Sequence, residues 1–252
     1  MRRDMRLGRL IHHADGLVCL LGQPVQVPRG VLIVTSGGLG DTVLFSLVLP
    51  QMAAAVADAG EPVTVLLRSD AAKMAFLFPP EITVLSVDYK RLDQDIRYRL
   101  SLMARLRRAG FRVVVGSDYL RHPRLDDALI HACGAPQTLA MEPRSWKKHD
   151  PLLQRNRGRY TRLFDSGSRP LNKILRWTAF TNWLGGAAHP PPMVRLPESL
   201  LPPPASLAHP VILIQPFSAG TPKQSAPELY RAIMDALPDF DFVIKGGPTD
   251  LD

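Results

Sequence analysis

A glycine-rich turn between two apolar segments, at residues 30–50, constrains the fold more than any other feature of the sequence. A short apolar run at residues 31–34 gives way to TSGGLGD, and an apolar segment of helical length follows. This order predicts a buried parallel strand, a tight turn and a helix. Asp41 follows the turn at the start of the helix, above the carboxyl end of the strand, where open α/β sheets bind their ligands. We therefore expect a binding or catalytic site at this turn.

The turn does not match the common phosphate-binding loops. A P-loop requires a Lys and a Ser or Thr after its glycines, and Asp41 stands in that place, which excludes a Walker-type site. The dinucleotide pattern is matched at Gly38 and Gly40 but not at Val43. Two interpretations of Asp41 remain, a helix cap favoured by the helix dipole and an active-site carboxylate. The missing Cβ atoms at Gly37, Gly38 and Gly40 allow close approach of backbone or ligand and favour the second.

Composition indicates an ordinary soluble globular protein. The chain has 252 residues, enough for one large or two modest domains, and 46% hydrophobic and 21% charged residues. Cys19 and Cys133 are too few and too distant to suggest a disulfide framework, so a reducing compartment is expected. No uninterrupted apolar run reaches membrane-spanning length. Residues 1–30 predict a basic N-terminal extension, either a surface helix or a segment that contacts a membrane, rather than a signal peptide.

The net charge of +8 comes from one segment. Ten Lys and Arg residues but only two acidic residues lie between residues 144 and 176, and the rest of the chain balances at 21 of each sign. Such a segment attracts phosphates or other anions, although a solvated basic face is an alternative. No nucleic-acid-binding signature occurs, so we expect no nucleic-acid partner. The candidate acceptor-side basic patch consists of Arg144, Lys147, Lys148, Arg155, Arg157 and Arg159.

Strand and helix patterns alternate along the chain, which predicts parallel sheets with helices on both faces. The predicted strands of the first half are residues 31–34, 63–67, 82–87, 111–116 and 138–141; helices are predicted at 70–78, 92–109, 126–133 and 171–184. Residues 188–210 are proline-rich and predict a stiff linker, because proline is excluded from helix interiors and central strands.

After the linker the alternation begins again. A strand is predicted at residues 211–215, a helix at 228–237 and a second strand at 241–245. Ser225 and Glu228 have the spacing of a capping box at the start of that helix. A unit of two parallel strands cannot cover both faces of its sheet, so we expect the second domain to be incomplete.

Three segments, taken in order, resemble glycosyltransferase family 9, the heptosyltransferase-like enzymes. VLIVTSGGLGDTVL at residues 31–44 resembles the strand, turn and helix that open the first domain of that family. ILIQPFSAGTPKQSAPEL at residues 212–229 resembles the opening of its second domain. FVIKGGPTD at residues 242–250 resembles the next strand and its Gly-Gly-Pro turn. The order of the three segments is more specific than any one of them.

The resemblance implies a GT-B architecture, two Rossmann-like domains with parallel sheets that face a cleft. Residues 31–187 would form the acceptor-side domain, and residues 211–252 would begin the nucleotide-sugar-binding domain. The implied reaction is an inverting, metal-independent transfer of a sugar from a nucleotide-diphosphate donor, ADP-heptose in the family, to an anionic acceptor of lipopolysaccharide-core type. No cofactor beyond the donor is implied. The expected location is cytoplasmic, with peripheral contact at the inner face of the membrane.

The resemblance also assigns roles to individual residues. Asp41 matches the catalytic aspartate of the family, the general base that deprotonates the acceptor hydroxyl. Lys223 matches the lysine that binds the donor phosphate, and Ser218 matches a hydroxyl position in the same loop. Without the resemblance, Lys223 would be interpreted as an exposed loop lysine.

The sequence departs from the family in two places. Ser225 replaces a frequent Trp, and the later motifs that bind the donor base and sugar have no counterpart. We therefore do not expect strong donor binding from this chain alone. The alternative function is a non-catalytic remnant that keeps the acceptor domain and binds an anionic ligand. Two D-x-D sequences, at residues 93–95 and 239–241, are interpreted as caps and turns rather than metal sites.

Overall fold

The computed structural model describes residues 27–168, 170–204, 206, 209–217 and 224–246. The chain divides into two compact units, Met1–Leu196 and Pro197–Asp252. The division falls within the proline-rich segment at residues 188–210.

The first unit is built on six parallel strands in the order β3-β2-β1-β4-β5-β6. The strands are β1 Val31–Val34, β2 Val63–Arg68, β3 Thr83–Val87, β4 Val113–Gly116, β5 Gln137–Met141 and β6 Arg162–Phe164. The order reverses between β1 and β4, which is the switch point of a doubly wound sheet. The sequence predicted the first five strands and missed β6, whose three residues are too few for a periodic pattern.

Helices cover both faces of this sheet. They are α1 Leu39–Val56, α2 Tyr89–Gln94, α3 Ile96–Ala109, α4 Asp126–Cys133, α5 Asp150–Arg157 and α6 Lys173–Gly185, with a 3₁₀ turn at Ala72–Leu77. Alternate residues of β1 point to opposite faces. Ile33 packs with Phe45 of α1 and Trp177 of α6 on one face. Leu32 packs on the other face in the core that includes residues of α2, α3 and α4.

Two predicted helices differ from the observed elements. The helix predicted at residues 92–109 is interrupted at Asp95, which ends α2 and whose carboxylate accepts a hydrogen bond from the Tyr98 amide at the start of α3. Asp88 caps α2 in the same way. The segment predicted as a helix at residues 70–78 forms the 3₁₀ turn, and α5 was not predicted. The capping hydrogen bond of Asp95 overrides the apolar periodicity of residues 92–109.

The expectation that no apolar segment reaches membrane-spanning length was wrong for helix α1. Its 18 residues have a mean hydropathy of 1.5, so by length and composition alone it is apolar enough to cross a membrane. Phe45, Leu49 and Met52 are nevertheless fully buried within the core of the first unit. The apolar character of α1 is accounted for by this packing.

The Glu61 carboxylate forms hydrogen bonds that link the segments in front of β1, β2 and β4. Its carboxylate accepts hydrogen bonds from the Gly30 amide at 2.8 Å and the Asp58 amide at 3.0 Å. The guanidinium of Arg112 donates two more, with Nε at 2.9 Å. The hydrogen bonds from Arg112 lower the pKa of Glu61 from 4.5 to about 2, against the opposing effect of partial burial.

The hydrogen bonds of Glu61 predict a pH-dependent contribution to the free energy of unfolding. The lowered pKa of folded Glu61 means that its contribution is complete above about pH 4.5 and is lost as the pH falls toward about 2. Urea unfolding of the wild type and Glu61→Gln, measured across this range, should show a difference that shrinks with decreasing pH. A difference that is independent of pH would contradict the assignment.

A buried polar network centred on Asp127 packs beside β4 and β5. Asp127 pairs with Arg121 at 2.9 Å, and both side chains are at most 2% exposed. Asp127 also accepts hydrogen bonds from the Tyr160 hydroxyl at 2.6 Å and from the Asn156 amide at 2.9 Å. Every partner is buried, so removing one leaves an uncompensated polar group.

We predict that Asp127→Ala lowers the free energy of unfolding by about 3–5 kcal/mol, because it leaves the buried Arg121 unpaired. The double variant Arg121→Met/Asp127→Leu should lose less, since it buries no lone charge. Chemical denaturation of both variants checks this, and equal losses would contradict the ion-pair interpretation.

The second unit contains two parallel strands, β7 Val211–Ile214 and β8 Asp241–Ile244, joined through α7 Pro227–Ala236. A 3₁₀ turn at Glu198–Leu200 precedes them. The predicted capping box is wrong: Ala226 is the N-cap and makes no side-chain capping bond, and Pro227 begins the helix. Leu213, Val243 and Ile244 are 63%, 48% and 54% exposed, so this two-stranded sheet leaves apolar surface uncovered.

Candidate functional site

A cavity of about 340 Å³ opens at the switch point of the first sheet, beyond the carboxyl ends of β1 and β4. Because α1 leaves β1 on one face and α4 follows β4 on the other, the loops after these strands diverge and leave a crevice. The lining residues are Ser36, Gly37, Gly38, Asp41, Arg68, Asp118, Tyr119, Leu120, Arg144, Leu171, Lys173, Arg176 and Trp177. The predicted turn therefore forms one wall of the cavity.

The Asp41 carboxylate lies at this wall, in the first turn of α1. Gly38 is the N-cap, and no side chain forms a capping hydrogen bond there. The Asp41 Oδ1 instead lies 2.6 Å from the Nζ of Lys173, the first residue of α6, and the two side chains are 34% and 48% exposed. The helix dipole still favours a carboxylate at this position. The observed geometry leaves Asp41 accessible to a ligand rather than engaged as a cap.

The three glycines of the turn differ in their surroundings. A Cβ on Gly37 would lie 2.4 Å from the Asp41 Cβ and 3.1 Å from its Oδ2. A Cβ on Gly38 or Gly40 would meet no atom within 4 Å among the described residues. Gly37 therefore makes room for the Asp41 side chain, and Gly38 and Gly40 keep the surface beside it open.

Asp118 is a site residue that the sequence interpretation missed. It directly follows the buried Ser117 after β4, and its Oδ2 accepts hydrogen bonds from the Ser36 amide at 2.5 Å and the Ser36 hydroxyl at 3.1 Å. Burial raises the pKa of Asp118, whereas the bonds from Ser36 and the charge of Lys173 oppose the shift. The signal was available in the sequence, because polar residues directly follow both strands, Ser36 shortly after β1 and Asp118 shortly after β4.

Two cationic side chains, Lys173 and Arg176, line the cavity together with the two carboxylates. Lys173 lies over the ring of Trp177 at 5.7 Å, and the Trp177 Nε1 donates to the Ser117 carbonyl at 2.9 Å. The buried Arg176 lies 3.8 Å over the Tyr119 ring and donates to the carbonyl of Ser166 at 2.8 Å. These contacts fix the cavity wall. Lys173 and Arg176 were counted in the basic segment but were not predicted as site residues.

The six residues of the predicted basic patch do not all lie at the same site. Arg144 and Lys147 line cavities. Arg157 pairs with Glu142 at 2.6 Å. The other three, which are exposed and line neither of the two cavities, are Lys148, Arg155 and Arg159. Only part of the patch therefore faces the site.

The predicted donor-phosphate residues Ser218 and Lys223 lie outside the described residues. Within the described part of the chain, no three His, Cys, Asp or Glu side chains cluster as a metal site would require. Asp95, from the first D-x-D sequence, caps α3 as described above.

The strand order and the position of the cavity define the first unit as a Rossmann-type α/β domain. No protein-family model and no curated protein sequence matches the chain. Among solved structures, the chain is similar to a family 9 glycosyltransferase from Veillonella parvula, with a TM-score of 0.59 and 14% identity; the match covers 88% of this chain and 64% of that one.

The chain is also similar to the heptosyltransferase WaaC of E. coli, solved with ADP, with a TM-score of 0.62 and 15% identity. That match covers 87% of this chain and 69% of WaaC. The chain thus has the GT-B-like fold of these glycosyltransferases and spans about two thirds of their length, 64% and 69%. The predicted fold class and its resemblance to family 9 structures are confirmed.

The different surroundings of Gly37 and Gly40 allow a matched pair of alanine substitutions to be compared. Gly37→Ala should lower the free energy of unfolding by about 1–3 kcal/mol, because the new methyl group forces the Asp41 side chain to move. Gly40→Ala adds the same methyl group within α1 without a clash, so it should be neutral or stabilising by up to about 1 kcal/mol. Thermal denaturation of the two proteins tests this. Equal effects of the two substitutions would contradict the steric role of Gly37.

Proposed function

We propose that the protein transfers a sugar from a nucleotide-diphosphate donor to a hydroxyl of an anionic glycan acceptor. The observation that carries the proposal is the Asp41 carboxylate, held accessible at the switch-point cavity of a GT-B-like fold. A carboxylate at this point can accept a proton from a hydroxyl that enters the cavity.

The proposed reaction is a single displacement. The acceptor oxygen bonds to the anomeric carbon as its proton passes to Asp41. The bond from that carbon to the diphosphate oxygen breaks, and the nucleoside diphosphate leaves with the electron pair. Attack from the side opposite the leaving group inverts the anomeric configuration.

The cationic wall supports an anionic acceptor. Lys173, Arg68, Arg144 and Arg176 line the same cavity as Asp41. Their charges favour a phosphate or carboxylate on the acceptor. Lys173 contacts Asp41 directly, so it can hold the carboxylate in place for the incoming hydroxyl.

The donor side of the proposal rests on the family resemblance. Lys223 and Ser218 are proposed to bind the diphosphate, where a cation would stabilise the departing charge. WaaC is a heptosyltransferase and was solved with ADP, which supports ADP-heptose as the donor. A lipopolysaccharide-core precursor as the acceptor is proposed from the family resemblance. Catalysis without a metal, in the cytoplasm and in peripheral contact with the inner membrane face, belongs to the same proposal.

Substitution of Asp41 tests the proposed chemistry. Asp41→Asn should lower kcat for sugar transfer by about 10²–10⁴-fold, since an amide cannot accept the proton. Binding of the nucleotide sugar should be unchanged. The assay measures ADP release from ADP-heptose with a Kdo-bearing core acceptor, and calorimetry measures donor binding.

Asp93→Asn provides the control. Asp93 is exposed, lines neither cavity and belongs to the first D-x-D sequence, so its loss should leave turnover unchanged. Unchanged turnover in Asp41→Asn would overturn the assignment of the base. Binding of the anionic acceptor without transfer in the wild type would instead support the non-catalytic alternative.

A further inference from the structure

Asp118 has a fixed position in the wall of the switch-point cavity. The preceding residue, Ser117, is fully buried, and its amide and hydroxyl both donate to the Val34 carbonyl, at 3.0 and 3.1 Å. The carbonyl of the following residue, Tyr119, accepts a hydrogen bond from the Arg144 amide at 2.8 Å. The backbone on both sides of Asp118 is therefore held by hydrogen bonds to other parts of the first unit.

The Asp118 carboxylate accepts hydrogen bonds where the chain leaves β1 for the glycine-rich turn. The Thr35 amide, directly after β1, still donates to the Leu66 carbonyl of β2 at 3.1 Å. The next amide, that of Ser36, donates to Asp118 Oδ2 instead, and the Ser36 hydroxyl donates to the same oxygen. Asp118 thus takes the place of a backbone acceptor at the end of the strand.

Two glycines separate Ser36 from helix α1. Glycine restricts the backbone less than any other residue, so Gly37 and Gly38 do not by themselves fix the course of the turn. On the helix side, the Gly38 carbonyl accepts hydrogen bonds from the amide and hydroxyl of Thr42, at 2.9 and 3.1 Å. On the strand side, the turn is held by the hydrogen bonds from Ser36 to Asp118.

The position of the turn determines the space for the Asp41 side chain. A Cβ on Gly37 would lie 2.4 Å from the Asp41 Cβ and 3.1 Å from its Oδ2, so the Gly37 backbone packs directly against this side chain. The other carboxylate oxygen, Oδ1, lies 2.6 Å from the Nζ of Lys173. Asp41 is therefore held between Lys173 and the turn, and a movement of Gly37 changes where its carboxylate lies.

The charges of the cavity wall are consistent with this arrangement. Desolvation raises the pKa of the partly buried Asp118, whereas the hydrogen bonds from Ser36 and the charge of Lys173 lower it. The negative charge of Asp41 raises it further. The ammonium group of Lys173 thus offsets the repulsion between the two carboxylates and allows them to lie in the same wall.

We infer that Asp118 is a positioning residue for the proposed sugar transfer: through Ser36 and Gly37 it holds the glycine-rich turn against Asp41 and so fixes the orientation of the Asp41 carboxylate. The inference rests on the proposed function and adds a second carboxylate to it. In this role Asp118 takes no proton. Misplacement of a reacting group by about 1 Å can lower a rate by about 10²-fold, which is the effect expected when Asp118 is lost.

This role requires a hydrogen-bond acceptor at residue 118 rather than a negative charge. An asparagine side chain keeps an oxygen that can accept from both donors of Ser36, whereas an alanine side chain keeps no acceptor. Substitution by the two residues therefore separates positioning from a purely electrostatic role.

The first test measures ADP release by Asp118→Ala and Asp118→Asn. Asp118→Ala should lower kcat by about 10²-fold without a change in the KM of the donor, and Asp118→Asn should recover most of the loss. In the Asp41→Asn background, Asp118→Ala should lower kcat no further, because the effects of residues that act as a unit are not additive.

Asp88→Ala is the matched control. The Asp88 carboxylate also accepts a backbone hydrogen bond, from the Arg91 amide at 2.9 Å. It lines neither the switch-point cavity nor the second cavity of about 640 Å³ beside it. Asp88→Ala should therefore leave kcat unchanged.

Backbone NMR spectra test the same contact without any reaction. In Asp118→Ala the Ser36 amide should exchange with solvent about tenfold faster, because it loses one hydrogen bond. The amide resonances of Gly37 and Asp41 should shift in this variant. Asp118→Asn should keep the exchange rate and both resonances near their wild-type values.

Three results would overturn the inference: an unchanged exchange rate of the Ser36 amide, equal loss of kcat in the two Asp118 variants, or a further loss of kcat in the Asp41→Asn background. Absence of transfer by the wild type would refute the proposed function, and the NMR comparison would still decide whether Asp118 positions the turn. If Asp118→Ala does not fold, Ser36→Ala, which removes the hydroxyl donor, must shift the Gly37 and Asp41 resonances.

Discussion

The reversal of strand order between β1 and β4 is the constraint on which the site depends. Parallel pairing brings the carboxyl ends of both strands to the same edge of the sheet. The helices that follow them lie on opposite faces, so the loops must separate there. The hydrogen bonds from Ser36 to Asp118 join these two loops. The rest of the cavity lining comes from the end of β2, the segment after β5 and the start of α6.

The cavity is lined by charged side chains of both signs rather than by a single basic face. Asp41 lies against Lys173, and Asp118 is partly buried nearby, where desolvation raises its pKa. Arg176 is fixed by backbone carbonyls and by the Tyr119 ring. The acceptor proposed above, which carries both a hydroxyl and an anionic group, would meet a carboxylate with the first and cations with the second.

Much of the framework could be predicted because its signals are local. The apolar runs gave five of the six strands of the first sheet, and alternation with helical segments gave the parallel arrangement. The errors have local physical causes as well. Asp95 interrupts a long amphipathic pattern, three-residue β6 is too short to show a period, and Ala226 rather than Ser225 caps α7. The roles predicted for Ser218 and Lys223 remain predictions.

The sequence by itself determined the strand–turn–helix around Asp41, since glycine placement and apolar periodicity act over a few residues. It also indicated the family resemblance that the fold confirms. Only the tertiary structure decided which distant residues meet Asp41. Lys173 and Asp118 reach the site through the strand order and the packing of α6 on α1. Such contacts depend on the pairing of strands far apart in the chain, and no local pattern encodes that pairing.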